Sequence, residues 1–206
     1  RRLSSAASDV YKRQVIKHPN WNMGHKISVD SATLMNKLFE LIEASKIFNL
    51  PINKFDIVIH PKSYIHALVN FKNGLSKILI HDTQMEIPIF NSIFYKTSET
   101  YKKNKDINFK NLNGENFIKP SVSNFPLLKL IKEYKRNNSY YEIILVTVND
   151  YFVKKFLNGN INFQKMQIKL LKKLKDPYLS KYYNKYPKKI NDIYMMVNNC
   201  LLYTSD

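Results

Sequence analysis

The apolar pattern of this chain changes character once, and that change limits the architectures open to it. Before residue 96 the apolar residues follow both helical and strand periods, and after Pro120 they follow a helical period alone. Leu34, Leu38, Leu41, Ile42 and Phe48 recur at helical spacing with Ser45 on the same stripe. A helix is therefore expected from an N-cap at Asp30 or Ser31 to about Phe48, where Pro51 stops it. Residues 55–59, 64–71 and 75–81 read as strands, and Asn73-Gly74 between the last two is a hairpin signal. A short helix is expected over 86–95, with Pro88 in its first turn. Residues 96–120 are rich in Lys, Asn, Thr and Glu and read as a linker. Beyond it, helical segments are expected near 124–136, 139–158, 162–175 and 189–199, with Gly159 and Asp176-Pro177 as stops. The expected fold is an α/β (α+β) unit with a mixed or antiparallel sheet, followed by a small α-helical bundle.

Composition narrows the function classes. With 44% apolar and 13% aromatic residues in 206, the chain can bury a core, which excludes wholesale disorder. No apolar run approaches the length of a membrane-spanning helix, so no membrane partner is expected. Cys200 is the single cysteine, which excludes a disulfide scaffold and a multi-thiolate zinc site. Only 4 glycines occur, none in a dinucleotide or P-loop spacing, so a self-contained nucleotide-binding domain is not written here. The net charge of +17 would suit a polyanion. The lysines are dispersed, however, and accompany Asn, Ile and Tyr, as AT-rich codons would give, so no nucleic acid is expected as a partner. Residues 1–14 (RRLSSAASDVYKRQ) lack the apolar stretch of a signal peptide. They and 200–206 (CLLYTSD) read as non-native ends, leaving 15–199 as the protein proper.

Chemistry is concentrated on the first expected helix. Asn36 and Glu40 are four residues apart and Lys37 and Glu40 three, so they project near one another, off the apolar stripe. Ser31 would stand at the helix start, where free amides favour a phosphate. Lysine and serine could hold a phosphate dianion while the carboxylate took a hard cation. The plain alternative is a solvated face with an ordinary Lys–Glu pair. Before this helix, Trp21 and Met23 flank Gly24 in a segment without an apolar stripe, which suits a lid that excludes water. Trp21 would serve equally as a core residue, and His18 is a ligand contact, a general acid or a structural residue. His60, His66 and His81 share no metal-binding spacing on one element and are expected to be structural.

The string HPNWNMGHKISVDSATLMNKLFELIEA closely resembles the central motif of the 1-deoxy-D-xylulose 5-phosphate reductoisomerase family. The resemblance continues through IHPKSYIHALVNFKNG and QMEIPI, and more faintly through VTVNDYFVKKFL, so that it covers about 15–175. It implies that His18, Ser31, Asn36 and Lys37 contact a phosphorylated ketose, the last three around its phosphate. It implies that Glu40 is one of the carboxylates holding Mg²⁺ or Mn²⁺ and also touches the substrate, so that Glu40 and His18 are the catalytic candidates. Gly24 would contact NADPH through its backbone, and Trp21 and Met23 would belong to a mobile flap. The implied reaction is a metal-assisted rearrangement followed by hydride transfer from NADPH, giving 2-C-methyl-D-erythritol 4-phosphate. A homodimer, in a bacterial cytoplasm or a plastid-type organelle, is implied for the whole enzyme.

The resemblance also has gaps. The family's glycine after Asn-Lys is Leu38, its Pro-Asp-Met is Thr83-Gln84-Met85, and Val146 and Asp150 stand where it shows Asn and Glu. The family's cofactor domain, its Asp-Ser-Glu metal site and its Gly-Ser-Gly-Gly loop do not precede His18. Residues 15–95 are thus expected to be part of a catalytic domain, 96–120 a linker and 121–199 a C-terminal helical domain. The chain alone is expected to be inactive; a degenerate relative kept as a dimerisation partner is the other reading.

Overall fold

The stretch expected to form one helix up to Phe48 forms two, and the break between them shapes the candidate site. The computed structural model describes residues 14–17, 23–97, 99–101, 106–113, 116–134 and 138–204. In chain order the elements are α1 (His25–Ala32), α2 (Met35–Ile47), β1 (Ile65–Asn70), β2 (Ser76–Ile80), α3 (Glu86–Ile93) and α4 (Phe109–Leu112). There follow α5 (Lys129–Glu133), α6 (Tyr140–Leu157), α7 (Phe163–Leu174), α8 (Pro177–Ser180) and α9 (Ile190–Thr204). Among the described residues no helix is long and apolar enough to cross a membrane.

The break lies at Thr33-Leu34. Thr33 turns its hydroxyl back onto the carbonyls of Val29 (3.1 Å) and Asp30 (3.2 Å), and Leu34 adopts φ 60. A left-handed leucine costs about 1–2 kcal/mol, yet no glycine or proline announces it. The apolar stripe runs straight through the break, because Leu34, Leu38, Leu41 and Ile42 are all buried. The expected N-cap is therefore corrected: α1 starts at His25 behind Gly24, and Asp30 and Ser31 lie within that helix.

Two compact units result. The first comprises residues 14–17 and 23–56 together with the described residues from Ser121 onward. Val29, Met35, Leu38 and Ile42 of α1 and α2 share one core with Ile144, Leu145, Val148 and Phe152 of α6, Met166 and Leu170 of α7, and Met196 and Cys200 of α9. Each fully buried side chain of this kind contributes about 1.5–3 kcal/mol. The expected stops operate: Gly159, at φ 79, follows α6, and Asp176 accepts from Tyr178 N (2.9 Å) ahead of Pro177. Helix α9 runs past residue 199 to Thr204, with Cys200 fully buried and its thiol pushed up to about 11 by that burial. The residues set aside at this end thus continue the helix.

The second unit spans Ile57–Pro120. Strands β1 and β2 pair antiparallel with Leu68 opposite Ile78, so the sheet among the described residues is a two-stranded hairpin. Gly74 takes φ 87 in its turn, and the Asn73 side chain accepts from Leu75 N (3.1 Å), which is why Asn-Gly suits that place. The third expected strand, 55–59, reduces to one antiparallel bridge between Ile59 and Ile118. Its partner comes from the stretch read as a linker, and Asn108 N also donates to the Tyr64 hydroxyl at 3.0 Å. A polar stretch with isolated apolar residues gives no sequence signal for such docking.

Candidate functional site

The turn between α1 and α2 separates Ser31, near the end of α1, from Asn36 and Lys37 at the start of α2. Ser31 sits half-buried in the last turn of α1, and its carbonyl accepts from Leu34 N at 3.1 Å. Asn36 and Lys37 occupy the first turn of α2, whose N-cap Leu34 has no capping side chain, although the Thr33 hydroxyl accepts from Met35 N at 3.4 Å. The Asn36 amide donates to Ile27 O (3.3 Å), tying the start of α2 to α1. Amides at a helix start carry partial positive charge, and Lys37 adds a full one, so an anion is favoured here. The phosphate-favouring start is thus that of α2, and Ser31 stands near the end of the preceding helix.

Glu40 stands one turn further on, with its side chain 55% exposed and Oε2 2.7 Å from Lys37 Nζ. Such an exposed pair is worth only about 0–1 kcal/mol, so either partner is readily given up to a ligand. Leu38, the bulkier residue in place of a glycine, is 2% exposed and packs into the core, away from this face. Among the described residues no group of three or more His, Cys, Asp and Glu could hold a metal ion. Glu40 by itself offers fewer oxygen ligands than Mg²⁺ or Mn²⁺ requires, so these residues alone do not fit the cation. Gly24 is exposed ahead of α1, and a side chain added there would meet nothing within 4 Å. That leaves its backbone approachable, although one glycine does not make a dinucleotide cradle. Met23 beside it is half-buried. His18 and Trp21 lie outside the described residues.

In the second unit the histidines meet backbone groups and one another. His60 is buried, its Nδ1 accepting from Tyr64 N at 3.2 Å. His66 and His81 stack with centroids 3.6 Å apart, and the His66 ring is bonded to His81 O at 2.9 Å.

A polar cluster beneath the site escaped the sequence reading. Asp30, read there as a cap, is 1% exposed; it accepts from Asn149 Nδ2 of α6 (2.9 Å) and pairs with Lys26 (2.8 Å). Lys26 also reaches Asp150 at 3.0 Å. Burial holds the Asp30 carboxyl above the usual carboxylate range, against the opposing pull of Asn149 and Lys26. For Lys26 burial opposes the charge, but its bonds to Asp30 and Asp150 outweigh it and raise the ammonium. The available signal was a polar residue on each of two buried stripes, Asp30 beside Val29 and Asn149 beside Val148.

Comparison with known proteins places this geometry. Residues 2–48 match the model of the 1-deoxy-D-xylulose 5-phosphate reductoisomerase C-terminal domain, a match that begins inside the segment read as a leader. Residues 81–200 match the DXP reductoisomerase C-terminal domain. The chain is 48% identical over 181 residues to 1-deoxy-D-xylulose 5-phosphate reductoisomerase of Pelagibacter ubique, covering 88% of this chain and 46% of that one. To the Persephonella marina enzyme it is 35% identical over 184 residues, 89% of this chain and 48% of that one. The chain thus spans about half the length of the curated relatives it matches. A DOX-P reductoisomerase structure in complex with NADPH, fosmidomycin and magnesium superposes with TM-score 0.86 at 29% identity, covering 94% of this chain and 48% of that one. The Zymomonas mobilis enzyme in complex with NADPH gives TM-score 0.80 at 28% identity, over 99% of this chain and 52% of that one. With a family model covering more than half of its residues, the chain belongs to the 1-deoxy-D-xylulose 5-phosphate reductoisomerase family.

Proposed function

We propose that the chain forms the C-terminal half of an NADPH- and divalent-metal-dependent reductoisomerase that converts 1-deoxy-D-xylulose 5-phosphate to 2-C-methyl-D-erythritol 4-phosphate in non-mevalonate isoprenoid biosynthesis. The observation that carries this reading is the start of α2, where Asn36 and Lys37 stand in the first turn, Asn36 is tied back to α1, which bears Ser31 near its end, and Glu40 is one turn away. The substrate phosphate exchanges Glu40 for itself as the partner of Lys37, while the helix amides and the polar side chains of Ser31 and Asn36 complete its shell. Glu40, so released, is free to serve as one ligand of Mg²⁺ or Mn²⁺, and the other ligands come from outside this chain. When bound, the metal supplies Lewis-acid polarisation of the substrate oxygens. NADPH is held by a domain outside this chain, with Gly24 approached through its backbone. His18 contacts the substrate, and Trp21 and Met23 form a flap that closes the site against water. The whole enzyme is a homodimer, in a bacterial cytoplasm or a plastid-type organelle.

Because it lacks the cofactor domain and most metal ligands, the 206-residue chain alone is inactive. The test is NADPH oxidation with the ketose phosphate and Mg²⁺ or Mn²⁺, comparing the full-length enzyme with this chain. Turnover by the full-length enzyme only is expected. Turnover by this chain above a no-protein control would overturn the inactivity, and a full-length enzyme without turnover would overturn the functional reading.

A further inference from the structure

A buried carboxylate in a helix–helix contact calls for a reason, because apolar residues of similar volume commonly serve stability as well. Asp30 lies in α1 with 1% of its surface exposed. One carboxylate oxygen accepts from Asn149 Nδ2 of α6 at 2.9 Å, and Lys26 Nζ stands 2.8 Å from the other. Asn149 is itself buried. Lys26 is also 3.0 Å from Asp150 of α6 and lies over the Phe39 ring of α2, 5.9 Å from its centroid. These groups tie α1 to both α6 and α2 through directional contacts, which an apolar surface does not supply. A slide or rotation of α1 by one residue would break those to Asn149, Asp150 and Phe39, while the Lys26–Asp30 pair moves with the helix. Asp30 is also the residue from which the turn departs, since its carbonyl accepts from the Thr33 hydroxyl at 3.2 Å and Ser31 follows it directly.

We infer that Asp30, clasped by Asn149 and Lys26, is a positioning residue for the anion site. It sets where α1 ends on α6, and thereby where Ser31 and the first turn of α2, with Asn36 and Lys37, come to stand. The identity of the anion rests on the function proposed above, whereas the geometry of the clasp does not. The helical C-terminal part of the chain would then do more than support the fold: through α6 it aims the residues that grip the phosphate.

The test uses the full-length enzyme with Asp30→Asn, and with the exchanged pair Asp30→Asn/Asn149→Asp, which keeps one acid and one amide across the contact. For Asp30→Asn, KM for the phosphorylated substrate should rise about tenfold with kcat little changed. Tm should fall measurably, since removing one partner of a buried pair is destabilising, although Lys26 keeps Asp150 as a partner. Amide hydrogen exchange should accelerate over residues 33–37 and stay unchanged over the hairpin. The exchanged pair should recover most of the KM and the slow exchange, and it carries the test if Asp30→Asn does not fold. Unchanged KM and unchanged exchange in the single variant would overturn the inference. So would an exchanged pair that folds with wild-type Tm and recovers neither. A wild-type enzyme without turnover counts against the reductoisomerase reading instead, and the exchange measurement then decides the positioning role on its own.

Discussion

The helical unit and the hairpin unit handle their apolar residues in opposite ways. In the helical unit, α1, α2, α6, α7 and α9 bury Val29, Met35, Leu38, Ile144, Leu145 and Val148 in one core. The charged residues of interest, Lys37 and Glu40, are left on the outer face of α2. In the hairpin unit, Leu68, Ile78 and Leu79 are each more than 40% exposed, on both faces of β1 and β2. A two-stranded hairpin is at best marginal by itself. The difference teaches that stability and chemistry are divided by depth in the first unit, whereas the exposed apolar residues of the hairpin contribute little within this chain.

The sharpest way to break that comparison is a pair of truncations in this chain. Ile144→Ala, in the core, should cost about 2–5 kcal/mol, and Ile78→Ala, 53% exposed, should stay within about 0.5 kcal/mol. Denaturant unfolding monitored by circular dichroism measures both. Equal losses would mean that the hairpin face is covered as the helical core is. Function should follow the outer face alone. In the full-length enzyme, Glu40→Gln keeps an acceptor oxygen and removes the charge, so metal-dependent turnover should fall about 100-fold or more while Tm is retained. A normal rate and normal metal affinity would make Glu40 a surface residue.

Lys37→Ala should lower kcat/KM at least about tenfold, the worth of a charged hydrogen bond to the phosphate, again without loss of Tm. Unchanged kcat/KM would show that Lys37 does not touch the phosphate. A raised KM with unchanged kcat would mark the phosphate as a handle alone, and a fall in both would couple it to flap closure. The mildest effect concerns Asp176, whose carboxyl is held below its usual range by the Tyr178 backbone amide first and by Lys173 second. A depressed carboxyl stabilises the fold above its unfolded pKa, and that contribution is lost as pH falls through the folded value. Because the Asp176 side chain is only partly buried, the contribution should be below about 1 kcal/mol, and Asp176→Asn should flatten the decline of Tm below pH 4. A variant as acid-sensitive as the wild type would assign that decline to other groups.

Much was legible from residue order because it is local. The hairpin turn, the stops at Gly159 and Asp176-Pro177, the buried stripe from Leu34 to Ile42 and the placing of Asn36, Lys37 and Glu40 on one exposed face all follow from periodicity and turn chemistry. The motif that resembles the family is local too, and the family matches agree with it.

What only the tertiary structure decided is non-local or runs against local preference. The break at Leu34 requires a left-handed leucine, which local preference opposes and the surrounding core must enforce. Ile59 finds Ile118 across a polar stretch, and a single bridge of that kind has no periodicity to read. Asp30 meets Asn149 across 119 positions, so the hydrogen bond to this buried carboxylate exists only once α1 lies on α6. Sequence therefore set which residues could bind an anion, through spacing along a helix. The fold set where they stand, because their placement depends on contacts between segments far apart in the chain.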